Sequence, residues 1–131
     1  MLRRIVVAYD FSEASDDALA WTADLARSTG ARVEVMHVID APSNDAPEVD
    51  EARRKLAEAV QELGVEVSTH VDVGSGVAER LVSHADETDA DALVVAMTEG
   101  PSMRRWFLGS VADEVLRKAR CPVIAYRSED T

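Results

Sequence analysis

Apolar and polar residues fall along this chain in blocks of two different periods. Residues 5–9, Ile5-Val6-Val7-Ala8-Tyr9, form an uninterrupted apolar run, the pattern of a parallel strand covered on both faces. Asp10-Phe11-Ser12 reads as a turn, with Ser12 as the N-cap of a helix that carries Glu13, Asp16 and Asp17 near its positive end. Ala18, Trp21, Leu25 and Ala26 recur at helical spacing, and Gly30 supplies the stop. The run 32–39 predicts a second strand, and 40–47, with Pro42 and Pro47, a polar loop. A helix over about 48–63 gathers Ala52, Leu56, Ala59, Val60 and Leu63 on one face and ends at Gly64. Residues 65–71 alternate apolar with polar, as a strand near a sheet edge does. Gly74-Ser75-Gly76 marks another strand-to-helix turn. A third helix over 77–87, a fourth strand over 90–96, a fourth helix over 110–119 and a fifth strand over 121–126 complete the chain, with Pro122 suited to a strand's beginning.

Strict alternation of strand and helix predicts a three-layer, doubly wound α/β sandwich around a five-stranded parallel sheet, with residues 1–131 as one domain. Right-handed crossovers and helices on both faces place the first strand centrally, in the order 3-2-1-4-5. The winding then reverses between strands one and four. Ligands in such sheets bind beyond the C-terminal strand ends at that reversal, so the loops 8–12 and 96–110 are the ones to inspect.

Composition narrows the functional classes. With 47% apolar residues in 131, the chain can bury a core without disulfides or metals. No apolar run approaches the ~18 residues of a membrane span. Met1-Leu2-Arg3-Arg4 leads straight into the first strand without a signal-peptide core, so a cytoplasmic location is expected. Cys121 is the single cysteine, which excludes an internal disulfide. The net charge is −11, from 25 acids against 14 bases. A field of that sign repels nucleic acid and anionic membranes and argues against either as a partner. The excess acid fits either a solvated acidic surface or a halophile's cytoplasm, where salt screens self-repulsion.

Chemistry-bearing residues gather in the two loops. After the buried run that ends at Val94, Val95 and Ala96, the chain re-enters a helix at Gly109-Ser110. A helix N-terminus there aims N–H groups and the Ser110 hydroxyl outward, which suits phosphate, although Ser110 also serves as a plain N-cap. Glu99 sits in the same loop, where an anion would lie. Asp10 can accept from a base amine or ribose hydroxyl, or close an Asx turn on its own backbone. His37, His70 and His84 show no ligand spacing, and His37 reads as a satisfied core histidine. The chain has no Gly-x-Ser-x-Gly elbow, no Cys-x-x-Cys and no Gly-x-x-x-x-Gly-Lys-Ser/Thr loop. Neither a catalytic nor a metal-binding set is predicted. A receiver domain shares the alternation of elements, but its acidic pair and its strand-five lysine are missing, since Lys118 falls within the fourth helix.

Along nearly its whole length the chain resembles the universal stress protein family. The residues that carry the resemblance are Arg4 to Glu13 with their Asp-x-Ser turn, His37-Val38-Ile39-Asp40, Leu108-Gly109-Ser110-Val111-Ala112, and Ala119-Arg120-Cys121-Pro122-Val123-Ile124. The resemblance implies a nucleotide site: Ala8 and Asp10 toward adenine and ribose, Val38 flanking the base, Val95 and Ala96 at the pocket floor. Gly109, Ser110, Val111 and Ala112 would supply the phosphate amides. ATP binders of the family carry Gly-x2-Gly-x9-Gly-Ser/Thr after strand four. Here Gly109 and Ser110 match its end, while Ala96 and Glu99 replace its first two glycines and Ala112 stands where a hydroxyl is frequent. A carboxylate ~4 Å from one phosphate charge costs about 4 kcal/mol at an effective dielectric near 20, on the order of a thousand-fold in affinity. Gly100 next to Glu99 can offset part of that penalty, as can Arg104 and Arg105 beyond it, although the arginine pair also reads as plain solvated surface charge. Glu99 also offers a ligand for Mg²⁺ against a phosphate.

Three function classes are carried forward in this order. The first is a stress-response binding module whose ATP loop is degenerate, the second an ATP- and Mg²⁺-binding switch with slow hydrolysis at most, and the third an enzyme of a related α/β superfamily. The cofactor implied is ATP with Mg²⁺, weakened by Glu99 and Ala96. The apolar strand Val123-Ile124-Ala125-Tyr126 lies at a sheet edge without Lys or Pro to blunt it, so a homodimer through that edge is expected.

Overall fold

A computed structural model describes residues 1–99, 106–107 and 109–128. Gly100, Arg104, Arg105 and Leu108, invoked above, lie outside the described residues. The elements are β1 (Arg4–Ala8), α1 (Glu13–Thr29), β2 (Arg32–Ile39), α2 (Pro47–Ala59), β3 (Val67–Val73), α3 (Val77–Glu87), β4 (Ala92–Ala96), β5 (Thr98–Glu99), β6 (Trp106–Phe107), α4 (Ser110–Lys118) and β7 (Val123–Tyr126). Five parallel strands form one sheet in the order β3-β2-β1-β4-β7. With β7 as the fifth long strand, this is the expected 3-2-1-4-5 winding.

Alternation along the central strand builds the two cores. Ile5, Val7 and Tyr9 point to one face and pack with Val33 and Val35 of β2, Ala18, Leu19 and Ala26 of α1, and Leu56 of α2. Val6 points to the other face and meets Met36, Leu93 and Val95, then Ala78, Leu81 and Ala85 of α3, with Ala112 and Val115 of α4. Both faces of β1 are therefore dry, and that is why its sequence reads as unbroken apolar rather than alternating.

Element boundaries differ from the sequence reading in instructive ways. The second helix begins at Pro47, whose missing N–H is harmless at the first helical position. It stops at Ala59 because the next residues tighten into i→i+3 bonds, Gln61 N to Glu58 O and Leu63 N to Val60 O. Gly64, at φ +69°, then turns the chain, and β3 starts two residues later than predicted, in register with β2 from Val33↔Val67 to Ile39↔Val73. The stretch after β4, read as a plain loop, holds a two-stranded antiparallel ladder, Thr98↔Phe107 and Glu99↔Trp106. At the other end of the sheet Asp91 fastens the start of β1 to the start of β4, its Oδ2 accepting from the backbone N–H of Arg3 at 2.8 Å and Arg4 at 3.0 Å.

Candidate functional site

A cavity of about 380 Å³ opens where β1 and β4 part at their C-terminal ends. That volume lies at the small end of the range for ligand pockets. All nine residues predicted for a nucleotide site line it: Ala8 and Asp10 from the first strand and its turn, Val38 from β2, Val95 and Ala96 from β4, and Gly109, Ser110, Val111 and Ala112 at the start of α4. Tyr9, Ser15, Met36, His37, Val77 and Leu81 also line it and were not predicted. Three of these were signalled. Met36 shares a face of β2 with Val38 by the strand period of two, and Val77 and Leu81 stand four apart on α3.

One wall is the turn that leaves β1. Asp10 Oδ1 accepts from the Ser12 N–H at 3.0 Å and from the Ser15 hydroxyl at 2.9 Å, and the Asp10 N–H donates to Ser15 Oγ at 3.3 Å. This is the Asx turn that the sequence offered as one alternative for Asp10. Ser12 caps α1 as expected, with Oγ accepting from Ser15 N–H at 3.1 Å. Desolvation pushes the Asp10 carboxyl up, but the bonds donated by Ser12 and Ser15 outweigh it and hold the group below the usual carboxylate range. The Tyr9 hydroxyl donates to Asp16, and burial followed by that carboxylate pushes its ionisation well above the usual tyrosine range. Tyr9 thus stays neutral and ties β1 to the first turn of α1.

Within this turn Phe11 takes φ +65°, in the left-handed region, which costs a residue with a side chain about 1–2 kcal/mol. Its ring meets Tyr9 edge-on at 5.0 Å and His37 at 4.8 Å, with Lys55 Nζ 5.9 Å above it. His37 is half-buried, and its Nδ1 lies 2.8 Å from the Tyr9 carbonyl oxygen. That is the satisfied core histidine anticipated from the sequence.

The opposite wall is the N-terminus of α4. Here the structure corrects the sequence reading: the N-cap is Gly109, extended at φ −67°, ψ 169°, and Ser110 is the first helical residue. As glycine, the cap residue offers no side-chain hydrogen bond to this helix. Ser110 is exposed, and the first turn presents its N–H groups to the cavity. Glu99 is placed through its backbone, in the β5–β6 ladder.

A second cluster was invisible in the sequence. His70 of β3 and His84 of α3 stack at 4.4 Å with ring planes 9° apart, and His84 Nε2 lies 2.5 Å from Glu34 Oε1. Parallel rings do not converge their nitrogens on one point, and no group of three or more His, Cys, Asp or Glu among the described residues is placed to hold a metal ion. Cys121 is half-buried against the α3–α4 core, and burial pushes its thiol up. No helix among the described residues is long and apolar enough to cross a membrane.

A five-stranded parallel sheet in this order, with a cavity at its winding reversal, defines a doubly wound α/β protein. The chain belongs to the universal stress protein family, whose family model matches residues 1–127. It is 28% identical to a universal stress protein of Methanocaldococcus jannaschii, over 97% of this chain and 83% of that protein. Among solved structures it is similar to a universal stress protein from Archaeoglobus fulgidus, at 30% identity and a TM-score of 0.78 over 95% of this chain and 98% of the other. It is also similar to the universal stress protein from Archaeoglobus fulgidus in complex with dAMP, at 33% identity and a TM-score of 0.75 over 94% and 96%.

Proposed function

We propose that this chain is a cytoplasmic, homodimeric stress-response protein whose cavity accepts an adenine nucleotide and holds ATP weakly. The position of the cavity and its convergent polar groups, Asp10 on one wall and the first turn of α4 on the other, support nucleotide binding. So does the dAMP bound by a relative 33% identical to this chain. The observation that carries the weakness toward ATP is the pairing of Glu99 with Trp106. Where ATP binders place the second glycine of their loop, this chain has a residue committed to a strand ladder and bearing a negative charge. Such a residue neither wraps a polyphosphate nor welcomes one. On this reading the output of the protein lies in its dimer and in a protein it contacts, not in turnover.

The second reading is a switch that binds ATP with Mg²⁺. It is favoured by the N-terminus of α4, where Gly109 rather than Ser110 is the cap and the Ser110 hydroxyl stands at the first helical position. Calorimetric titration with AMP and with ATP, with and without Mg²⁺, at low and high KCl, separates the two. The expected result is AMP binding at least as tight as that of ATP. Tight, Mg²⁺-dependent ATP binding supports the switch, and absence of heat with either nucleotide overturns the pocket reading altogether.

A further inference from the structure

The structure assigns Phe11 as a positioning residue: its ring, gripped by Tyr9, His37 and Lys55, holds the Asp10 turn in the left-handed conformation that aims the Asp10 carboxylate into the cavity. Phe11 does not line the cavity itself. Its influence runs through the backbone. A bulky residue at φ +65° is a rare outlier that persists only where its surroundings over-determine it. Three different elements do so here. Tyr9 at the end of β1 and His37 on β2 meet the ring edge-on, and Lys55 on α2 sits over its face. His37 is itself fixed to the Tyr9 carbonyl, so the aromatic cradle is stiff.

The left-handed residue sets what lies on either side of it. It turns the chain so that the Ser12 N–H reaches back to Asp10 Oδ1 while Ser12 stands extended as the cap of α1. The Ser15 hydroxyl adds a second bond to the same oxygen. Both bonds fall on Oδ1, and no described residue donates to Oδ2. With one oxygen locked, the other is presented to a hydroxyl or amine donor of a ligand, such as the ribose of a nucleotide. Packing alone accounts for a phenyl ring against the core. It does not account for a phenyl at this φ, where glycine would fit the backbone without strain.

This inference rests on the nucleotide reading of the cavity, but one of its readouts does not. Carboxyl ¹³C NMR follows the titration of Asp10 without any ligand. In the wild type Asp10 is expected below the usual value of 3.8. Phe11→Ala removes the cradle but keeps a Cβ that disfavours this φ, and it should move the Asp10 titration back toward that value, whereas Phe11→Tyr should leave it in place. AMP affinity measured by calorimetry should fall about tenfold in Phe11→Ala and be retained in Phe11→Tyr. In an Asp10→Asn background Phe11→Ala should cause no further loss. Should Phe11→Ala fail to fold, Phe11→Leu, which keeps bulk but not the aromatic contacts, takes its place with the same expectations. An Asp10 titration unmoved by loss of the ring overturns the inference, and so does an equal loss of affinity in the Asp10→Asn background. A wild type that binds no AMP overturns the nucleotide reading and the ligand role together, while the Asp10 titration still decides whether Phe11 holds the turn.

Discussion

Glu99 and Gly109 stand at opposite ends of one loop and pull the site in opposite directions. Gly109 is extended rather than left-handed, so its value to a ligand is the absence of a side chain at the approach to the amides of α4, not conformational freedom. Gly109→Val should therefore fold normally and weaken nucleotide binding, because a branched side chain bars that approach; calorimetry that finds the affinity unchanged would place the ligand elsewhere. Glu99→Gly should act the other way, tightening ATP binding by one to three decades at roughly 1.4 kcal/mol per decade. Release of the β5–β6 pairing and removal of the charge both contribute to that gain, and Glu99→Gln, which removes the charge alone, apportions them. An ATP affinity that does not rise in Glu99→Gly refutes the electrostatic argument. At this scale the sequence was readable wherever chemistry is local: the Asx turn at Asp10 and the cap at Ser12 follow from the order Asp-x-Ser. It was silent where chemistry depends on tertiary placement, since nothing in the spacing of His70 and His84 tells that parallel pairing of β2 with β3 brings His70 against His84 of α3.

Among the elements, the strands were legible because burial on both faces leaves an unmistakable apolar run in Ile5-Val6-Val7 and in Leu93-Val94-Val95. Their ends were less so. The start of β4 is set by tertiary contacts, Asp91 N–H to the Arg4 carbonyl and the Asp91 carboxylate to the amides of Arg3 and Arg4, none of which a local pattern encodes. The β5–β6 ladder is two residues per strand, too short for any periodicity to register. The Asp91 clasp makes a pH prediction. Hydrogen bonds from the Arg3 and Arg4 amides hold the Asp91 carboxyl below its usual 3.8. A group whose folded value is depressed contributes stability above its unfolded value and loses it as pH falls through the folded one. Asp91→Asn should lower the melting temperature at pH 7, and the gap to wild type should close as the pH drops below about 3.8. A gap that stays constant down to pH 3 would show that the clasp works through shape and not charge.

The whole molecule carries its net charge of −11 on a sheet whose two edges differ. The β3 edge bears Ser68, Thr69, His70 and Asp72, whereas β7 is Val123-Ile124-Ala125-Tyr126 throughout. β7 pairs with β4 on one side only. The inward ladder takes the carbonyls of Pro122 and Tyr126 to Leu93 and Met97, so by the two-residue period Val123 and Ala125 turn their N–H and C=O groups outward. Trp21, 37% exposed on α1, lies beside the Tyr126 ring at 5.5 Å and widens the apolar margin of this edge. The chain after β7 leads toward α1, with Ser128 Oγ donating to Asp17 at 2.7 Å. An unblunted apolar edge is a template for a second chain, and two-fold antiparallel pairing makes the contact isologous. We therefore expect a dimer in light scattering, at twice the 14.2 kDa of one chain, more stable in high KCl if the acidic surface is adapted to salt. Ile124→Lys should yield a folded monomer. Because Ile124 also packs against the core below β7, Ala125→Pro is the sharper test. It removes one outward N–H and leaves the inward ladder intact, so it should give the same monomer with an unchanged far-ultraviolet spectrum. A wild type of single-chain mass at physiological and at high salt, or an Ala125→Pro variant that stays dimeric, would rule out pairing through β7.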